Sequence, residues 1–570
     1  MDSRTTGLLP GIPQAHRPAW WVLLSQVVVA AFVMGPIWHG ASTMLPGISG
    51  LADLPGTVNL HWLVHERGLL GAAHTRLLMY PMTVDRLVID GFPLDALASW
   101  PFIAQMGWPL GFNAFMATSL ALLGCSTAWL AQSWWGDARA SLVAGVVAQC
   151  NPFLLRELAY GRPTQIFGAI FLPLALLLIH RAVITQRNLP AFAAGVAVGL
   201  GALAYWFYGF FFALAVGMVL ILAALDRRPF VAPTLWSGLG ATVVAALPAA
   251  YAMGNLDTHP SATLSWTQMV NHGGEELPLI ELLEMRDLYS AIQTEGVLAV
   301  QFIGFGLAAL ALWRAQTRRW GLPLLLLAIG LVLAEGPKIR LGDGTTLTGP
   351  FALLGDIPGL RRLWWPDRSL VLLLPALSLL TGGGAALLAR KAERIGSIVA
   401  LGLAAGLVAE AHITLPNLPI HTTPATVSER AELLARGSGP VLILPIGSGT
   451  AQPDATMLTD QIHHGRPLVN GPMPPKSSTA PMPYREFSQS IGLSHFTLCE
   501  TDHRSPAPDD PSVVFRHLHA HGIREVYLDM DIAERLYGGA PAYRDCIHRL
   551  LPGFRHERGA YLVFNVPEPD

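Results

Sequence analysis

The chain has 570 residues, 52% of them hydrophobic and only 13% charged, with a mean hydropathy of +0.43. Soluble domains carry about 25% charged residues, so composition places most of this chain in lipid. The net charge of −2 says nothing about partners, because the charges are segregated by position, and no Lys/Arg-rich block points to nucleic acid.

Taken in order, Trp20 to Trp38 is an uncharged apolar run about long enough to cross a bilayer. It is too long for a signal peptide and lacks a small-residue cleavage site, so it reads as a retained helix. A long segment follows. It opens Gly-Leu-Ala-Asp53-Leu-Pro-Gly-Thr-Val-Asn59-Leu-His61-Trp62, continues through an amphipathic stretch from Val58 to Leu70, and reaches Met79-Tyr80-Pro81. A connection this long is more often functional than idle. Further apolar runs lie near 112–133, 139–155, 164–180, 189–206, 208–225, 230–252, 296–313, 321–335, 369–388 and 395–413. That makes about eleven spans, twelve if the shorter run 92–108, with Asp95 and two prolines, also crosses.

Charge asymmetry decides between these counts. The basic connections are Arg4 and Arg17, Arg139, Arg181 and Arg187, Arg227 and Arg228, Arg314 with Arg318 and Arg319, and Arg390 with Lys391 and Arg394. With eleven spans all six fall on one side, which is then the cytoplasm. The N-terminus is predicted inside. The segments 39–111, 156–163, the aromatic tip Tyr205-Trp206-Phe207-Tyr208, 253–295, 336–368 and the C-terminal part are predicted outside. Gly195-xxx-Gly199, Gly382 to Gly384 and Gly402-xxx-Gly406 read as close helix contacts.

After about residue 415 the pattern changes. Val427 to Gly437, Pro511 to His521 and Tyr543 to Leu551 read as helices. Pro440 to Pro445, Glu525 to Leu528 and Ala560 to Val566 read as strands. The expected architecture is a polytopic α-helical membrane domain over 1–415, its first outer loop at 39–111, and an outer α/β domain over 416–570. Cys499 and Cys546 share that outer domain, so a disulfide between them is one option.

The candidate chemistry lies in the outer segments. Asp53, Asp85, Asp90 and Asp95 lie in the first outer loop and Glu157 in the second, and a carboxylate near the membrane surface can serve as a general base. Asp53 stands out because it follows a span and precedes the amphipathic stretch. Arg156 and Arg162 flank Glu157. Lys338 and Arg340 follow a span, and Arg361, Arg362 and Arg368 lie in Gly359-Leu-Arg-Arg-Leu-Trp364-Trp365-Pro366-Asp367-Arg368. Outer arginines run against the orientation rule and suit a phosphate, which they grip with paired hydrogen bonds. A loop ion pair with Asp367 is the plainer alternative. His61 and His65, spaced i, i+4, share a helical face but have no evident third ligand, so a divalent metal has no support. HExxH, paired CxxC, Walker and Gly-x-Ser-x-Gly motifs are all missing.

Asp53, Asn59 and Trp62 after the first span, then Tyr80-Pro81 and Phe92-Pro93-Leu94, make a layout that resembles the GT-C class of integral-membrane glycosyltransferases. It is most similar to bacterial members of the YfhO type and the dolichyl-phosphate-mannose type. Asn151-Pro152 with Gly161-Arg162, Leu354 to Arg368, Leu444-Pro445 and Val469-Asn470-Gly471 extend the resemblance over most of the chain. It implies a multi-pass protein of the bacterial inner membrane, with its C-terminal domain extracytoplasmic. It also implies a transferase moving a sugar from a polyprenyl-phosphate donor to an envelope glycan, lipid or protein by inverting displacement, with no required cofactor. Asp53 inherits the role of catalytic base. Many members carry a second acid beside it; here that place falls to Glu157 or Asp90, or is empty. Donor phosphate falls to Arg361, Arg362, Arg368 and Arg162. The 253–295 loop, with Trp266, His272 and Glu275, is the expected acceptor side. An O-antigen ligase or polymerase, a glycolipid transporter and a non-catalytic scaffold are the alternative readings.

Overall fold

The computed structural model describes residues 8–11, 18–47, 53–89, 91–254, 302–314, 319–340, 346–355, 357, 360, 363, 365–392, 395–414, 422–447, 455–471, 481–501, 511–537, 540–552, 555–566 and 568. The chain divides into two compact units. One comprises Met1–Gly47, Phe92–Met253 and Ser265–Thr423; the other comprises Ile48–Gly91, Gly254–Leu264 and Pro424–Asp570.

The first unit is helical. Among the described residues five helices are long and apolar enough to cross a membrane: Leu110–Trp135, Pro163–Thr185, Trp206–Leu225, Val231–Tyr251 and Pro366–Lys391. The pair Ala138–Gln149 and Pro152–Leu158 meets the same test across a 44° bend. Trp20–Val33, Asn188–Ala204, Ile303–Arg314, Gly321–Ala334 and Gly396–His412 are shorter apolar helices. Leu94–Met106 forms a separate helix with Pro101 inside it and Asp95 buried in its first turn.

Small residues set how closely these helices approach. A Cβ at Gly384 would run into the Leu307 carbonyl, one at Gly383 into the Trp135 ring, and one at Gly195 into the Ser237 carbonyl. Gly402 differs from that expectation, since among the described residues no neighbouring atom lies within 4 Å of where its Cβ would be.

The second unit holds a four-stranded sheet in the order Val441–Leu444, Glu525–Asp529, Tyr561–Asn565, Arg555–Arg558. The first pair is parallel and the other two are antiparallel. Val441 to Leu444 are all buried, which is why that strand reads as a continuous apolar run. Helices Glu429–Ala435, Thr456–His464, Ile491–Thr501, Ser512–Ala520, Met530–Tyr537 and Ala540–Leu550 accompany the sheet. Cys499 and Cys546 are joined in a disulfide with their Cα atoms 5.8 Å apart.

The compact units do not follow the expected boundary at 415/416, because much of the first loop belongs to the second unit. Helix Asp53–Ala73 supplies Asn59, whose amide donates to the Leu458 carbonyl (3.1 Å) and to Gln461 Oε1 (2.8 Å). Buried Arg86 donates to Asn59 Oδ1 at 3.2 Å. Met79 donates its backbone N–H to the Asn470 carbonyl, and Tyr80 to that of Leu468. Leu78 and Met79 are fully buried in the cores that flank the sheet. Asn59, Leu78, Met79, Tyr80 and Arg86 therefore help to close this unit's hydrogen bonds and its apolar core.

Candidate functional site

Three short local signals in the first unit build one charged cluster. After Ala138–Gln149 the chain reads Cys150-Asn151-Pro152. Asn151 caps the next helix by accepting from the Phe153 N–H, and Pro152 sits at its first position, where a missing N–H costs nothing. This helix, Pro152–Ala159, carries Arg156 and Glu157. Gly161 then adopts φ +69°, which L side chains rarely take, and Arg162-Pro163 opens the following helix. Far along the chain, Trp365-Pro366 starts a 3-10 turn, Pro366–Leu372, that presents Asp367 and Arg368 before helix Leu373–Lys391.

Glu157 lies at the centre, with no exposed side-chain surface. Its Oε1 accepts from Arg156 Nη2 (2.8 Å), Arg156 Nε (3.1 Å) and Arg368 Nη1 (2.6 Å), and its Oε2 accepts from Arg162 Nη1 (2.9 Å). Arg156 also reaches Asp367 Oδ2 at 2.9 Å, and Arg368 donates to Gln165 Oε1 at 3.0 Å. The arginines differ in access: Arg368 is 3% exposed, whereas Arg156 and Arg162 are 11% and 15% exposed and form the rim with Asp367 at 18%. Among the described residues three guanidiniums meet the carboxylates of Glu157 and Asp367.

Aromatic rings wall the cluster. Arg162 stands 4.8 Å over Tyr160 and 5.7 Å over Trp365, and Arg368 stands 4.7 Å over Trp365. Phe207 stacks on Trp365 and on Tyr205, at 6.3 and 5.1 Å between ring centroids. Such faces favour cations and shield them from water.

Of the predicted site residues, Glu157, Arg162 and Arg368 meet here. Arg156, weighed beside Arg162 as an outer arginine, and Asp367, weighed as an ion-pair partner, join them; Gln165, Tyr205, Tyr208 and Trp365 complete the group and were not among the predicted site residues. Signals for several were present, in the Arg-Glu pair at 156–157, the aromatic tip at 205–208 and the Asp-Arg pair at 367–368. Asp53 is the first residue of helix Asp53–Ala73 in the second unit. His61 is buried in the same helix, which also carries His65; among the described residues no three His, Cys, Asp or Glu side chains come together as a metal site. Asp90, Arg361, Arg362, Trp266, His272 and Glu275 lie outside the described residues.

No family model matches the chain, and no curated protein matches it. Solved structures do. An arabinofuranosyltransferase, AftD from Mycobacteria, superposes with a TM-score of 0.58 at 15% identity over 97% of this chain and 42% of that one. ArnT from Cupriavidus metallidurans gives 0.56 at 14%, covering 97% and 99% of the two chains, and its structure bound to undecaprenyl phosphate gives 0.53. The Archaeoglobus fulgidus oligosaccharyltransferase, tethered to an acceptor peptide, gives 0.52 at 12% over 92% and 72%. The chain has a fold like that of these GT-C glycosyltransferases.

Proposed function

We propose that this chain is a membrane glycosyltransferase that takes a sugar from a polyprenyl-phosphate-linked donor and passes it to an envelope glycan, lipid or protein. The observation that carries the reading is the trio of arginines fixed around Glu157, with two of the guanidiniums at a rim. Undecaprenyl phosphate on ArnT supports the ligand class.

The roles follow from access. Arg162 and Arg156, at the rim, take the donor phosphate. Arg368, almost fully buried, steadies the cluster from beneath. Glu157 is the anchor of the arginines and not the base, because taking a proton would cost three guanidiniums their charged partner. The base role stays with Asp53, as the family resemblance implies. The acceptor oxygen attacks the anomeric carbon, the phosphate departs, and a single displacement inverts that centre. About eleven crossings, a cytoplasmic N-terminus and an extracytoplasmic second unit in a bacterial inner membrane complete the proposal.

The experiment is release of polyprenyl phosphate by the purified chain in lipid nanodiscs, over a panel of lipid-linked sugars. Asp53→Asn should abolish release. Turnover untouched by that change would remove Asp53 from the chemistry, and no turnover with any donor would favour a glycolipid transporter or scaffold.

A further inference from the structure

The charged cluster holds more than its ion pairs. Four buried donors beside it have no hydrogen-bond partner among the described residues: Arg368 Nε, Trp365 Nε1, and the hydroxyls of Tyr205 and Tyr208. Native proteins leave few such atoms unpaired, and four in one neighbourhood call for a reason. The neighbourhood is tight. Tyr205 and Trp365 each stack on Phe207, at 18° and 23° to its ring, and the Tyr205 and Tyr208 rings are 5.0 Å apart. Arg162 and Arg368 both stand over Trp365, and the charges of Arg368, Glu157, Arg162 and Asp367 act on the Tyr205 hydroxyl. These donors therefore border the rim that Arg156 and Arg162 form.

What would satisfy them follows from what stands at the rim. In a glycosyl phosphodiester the anomeric carbon and the phosphorus share one oxygen, so a phosphate held at the rim puts its sugar ring against the groups beside it. A prenyl tail in that place would leave all four donors unpaired, at the cost of their desolvation. A sugar would not. Its hydroxyls accept from the Trp365 and Arg368 N–H groups, and exchange either way with the tyrosines. They also have protons to place, and Asp367 takes them: Arg156 and Arg368 meet it at Oδ2, and a carboxylate has lone pairs on both oxygens. Between its hydroxyls a sugar is C–H, which suits tyrosine and tryptophan, apolar in body with a polar tip. Resting on the phosphate reading above, we propose that Tyr205, Trp365 and Asp367 form the subsite for the donor's sugar and select it by its hydroxyls, with Tyr208 as the floor.

Access agrees with these roles. Tyr205, Trp365 and Asp367 are part-exposed, whereas Tyr208 is fully buried. The polar tips of Tyr205 and Trp365 are covered, so the sugar reaches them by displacing rim side chains. Selection follows from the same donors. A site built to bond a hydroxyl rejects an analogue lacking it far more sharply than an apolar pocket rejects a missing methylene, because the site's own polar groups are then left unpaired. The right sugar pairs these donors, and one with a hydroxyl turned the other way at a single carbon does not. The arginines, by contrast, grip the phosphate common to every such lipid and carry no information about its sugar.

Lipid binding to the full chain in nanodiscs, with no acceptor present, tests this. The probes are the methyl ester of undecaprenyl phosphate and the glucosyl, galactosyl, mannosyl and arabinosyl diesters of the same lipid. All carry a single negative charge on the same tail, so a difference among them reports the sugar. The unsubstituted protein should hold at least one glycosyl diester about 10-fold or more tightly than the methyl ester, as for two or more added hydrogen bonds. Tyr205→Phe and Trp365→Phe should each erase roughly 5-fold of that preference, the scale of one hydrogen bond, while methyl-ester affinity stays within about twofold. Tyr205→Phe keeps the ring and removes an unpaired hydroxyl, so its thermal midpoint should hold or rise. No glycosyl diester held above the methyl ester, variants that keep the preference, or a Tyr205→Phe protein that melts earlier would each overturn the sugar subsite and leave the phosphate reading standing. Failure to bind any of these lipids would overturn both.

Discussion

Each unit buries arginine among carboxylates, and the two clusters are built differently. In the second unit Arg430 donates to Asp460 Oδ2 (2.6 Å), Asp529 Oδ2 (3.1 Å) and Thr456 Oγ1 (2.7 Å). Asp460 also accepts from Ser428 at 2.7 Å, and Asp529 from the Ile532 N–H at 3.0 Å. None of these side chains has a buried polar atom without a partner. Around Glu157, by contrast, four buried donors have no hydrogen-bond partner among the described residues: Arg368 Nε, Trp365 Nε1 and the hydroxyls of Tyr205 and Tyr208. A closed network ties a helix to a strand and has nothing left to offer. An open one in a buried, aromatic-walled place is built to be completed by something else.

Removing the hub should break this contrast most forcefully. Glu157→Gln leaves three guanidiniums with one carboxylate, and breaking a buried pair typically costs about 3–5 kcal/mol. The first unit should lose thermal stability in nanodiscs and all polyprenyl phosphate release, with Glu157→Asp recovering part of both. Arg430→Met alone should destabilise the second unit by a similar amount. Replacing Arg430, Asp460 and Asp529 together with apolar residues of matched volume should be nearly neutral, because a closed network can be exchanged for packing. Activity surviving the equivalent apolar replacement of Glu157, Arg156, Arg162 and Arg368 would end the distinction.

The next effect belongs to the second unit alone. The Cys499–Cys546 disulfide spans 47 residues and ties helix Ile491–Thr501 to Ala540–Leu550. Its removal by paired Cys→Ser changes should cost about 2–4 kcal/mol, read as an earlier melting of the second unit. Smaller still in stability, yet decisive for the comparison, is Arg162→Ala at the rim. Turnover should fall about 10²-fold, the scale of one lost charge-stabilising donor, with a thermal midpoint within a few degrees of the unsubstituted protein. A large loss of stability instead would make the rim as structural as Arg430.

How much of this was legible in sequence depends on range. The apolar runs at 112–133 and 208–225 became Leu110–Trp135 and Trp206–Leu225, because helical hydrophobicity is a local property. Asn151-Pro152, Gly161-Arg162-Pro163 and Trp365-Pro366 fix backbone within a few residues, so each was visible as a break. Their convergence was not: Arg368 meets Glu157 across 211 residues, and no periodicity reports such a distance. The same limit hid the partners of the first loop. Asn59 pairs with Gln461 across 402 residues, and Met79 meets Asn470. The short motifs at 79–81 and 469–471 were visible one at a time, whereas their contact is a property of the folded unit.

The smallest expected effect is a pH slope in the second unit. His464 accepts from the Arg466 N–H through Nδ1 at 3.0 Å. Burial, with Arg466, Arg430 and His463 nearby, pushes it down from the ordinary 6.5 to about 3. The folded state therefore keeps His464 neutral over a range in which the unfolded chain binds a proton. Stability contributed by this group is intact above pH 6.5 and falls as pH drops towards 3, by at most about 1.4 kcal/mol per unit and less where the ring meets solvent. The clean window is pH 6.5 to 5, above the ordinary carboxylate range. His464→Gln should flatten the melting-temperature slope there while the rim cluster's activity profile stays unchanged. An equal slope in both proteins would mean that the Arg430 network bears no charge strain from its neighbour, and is more fully closed than its geometry suggests.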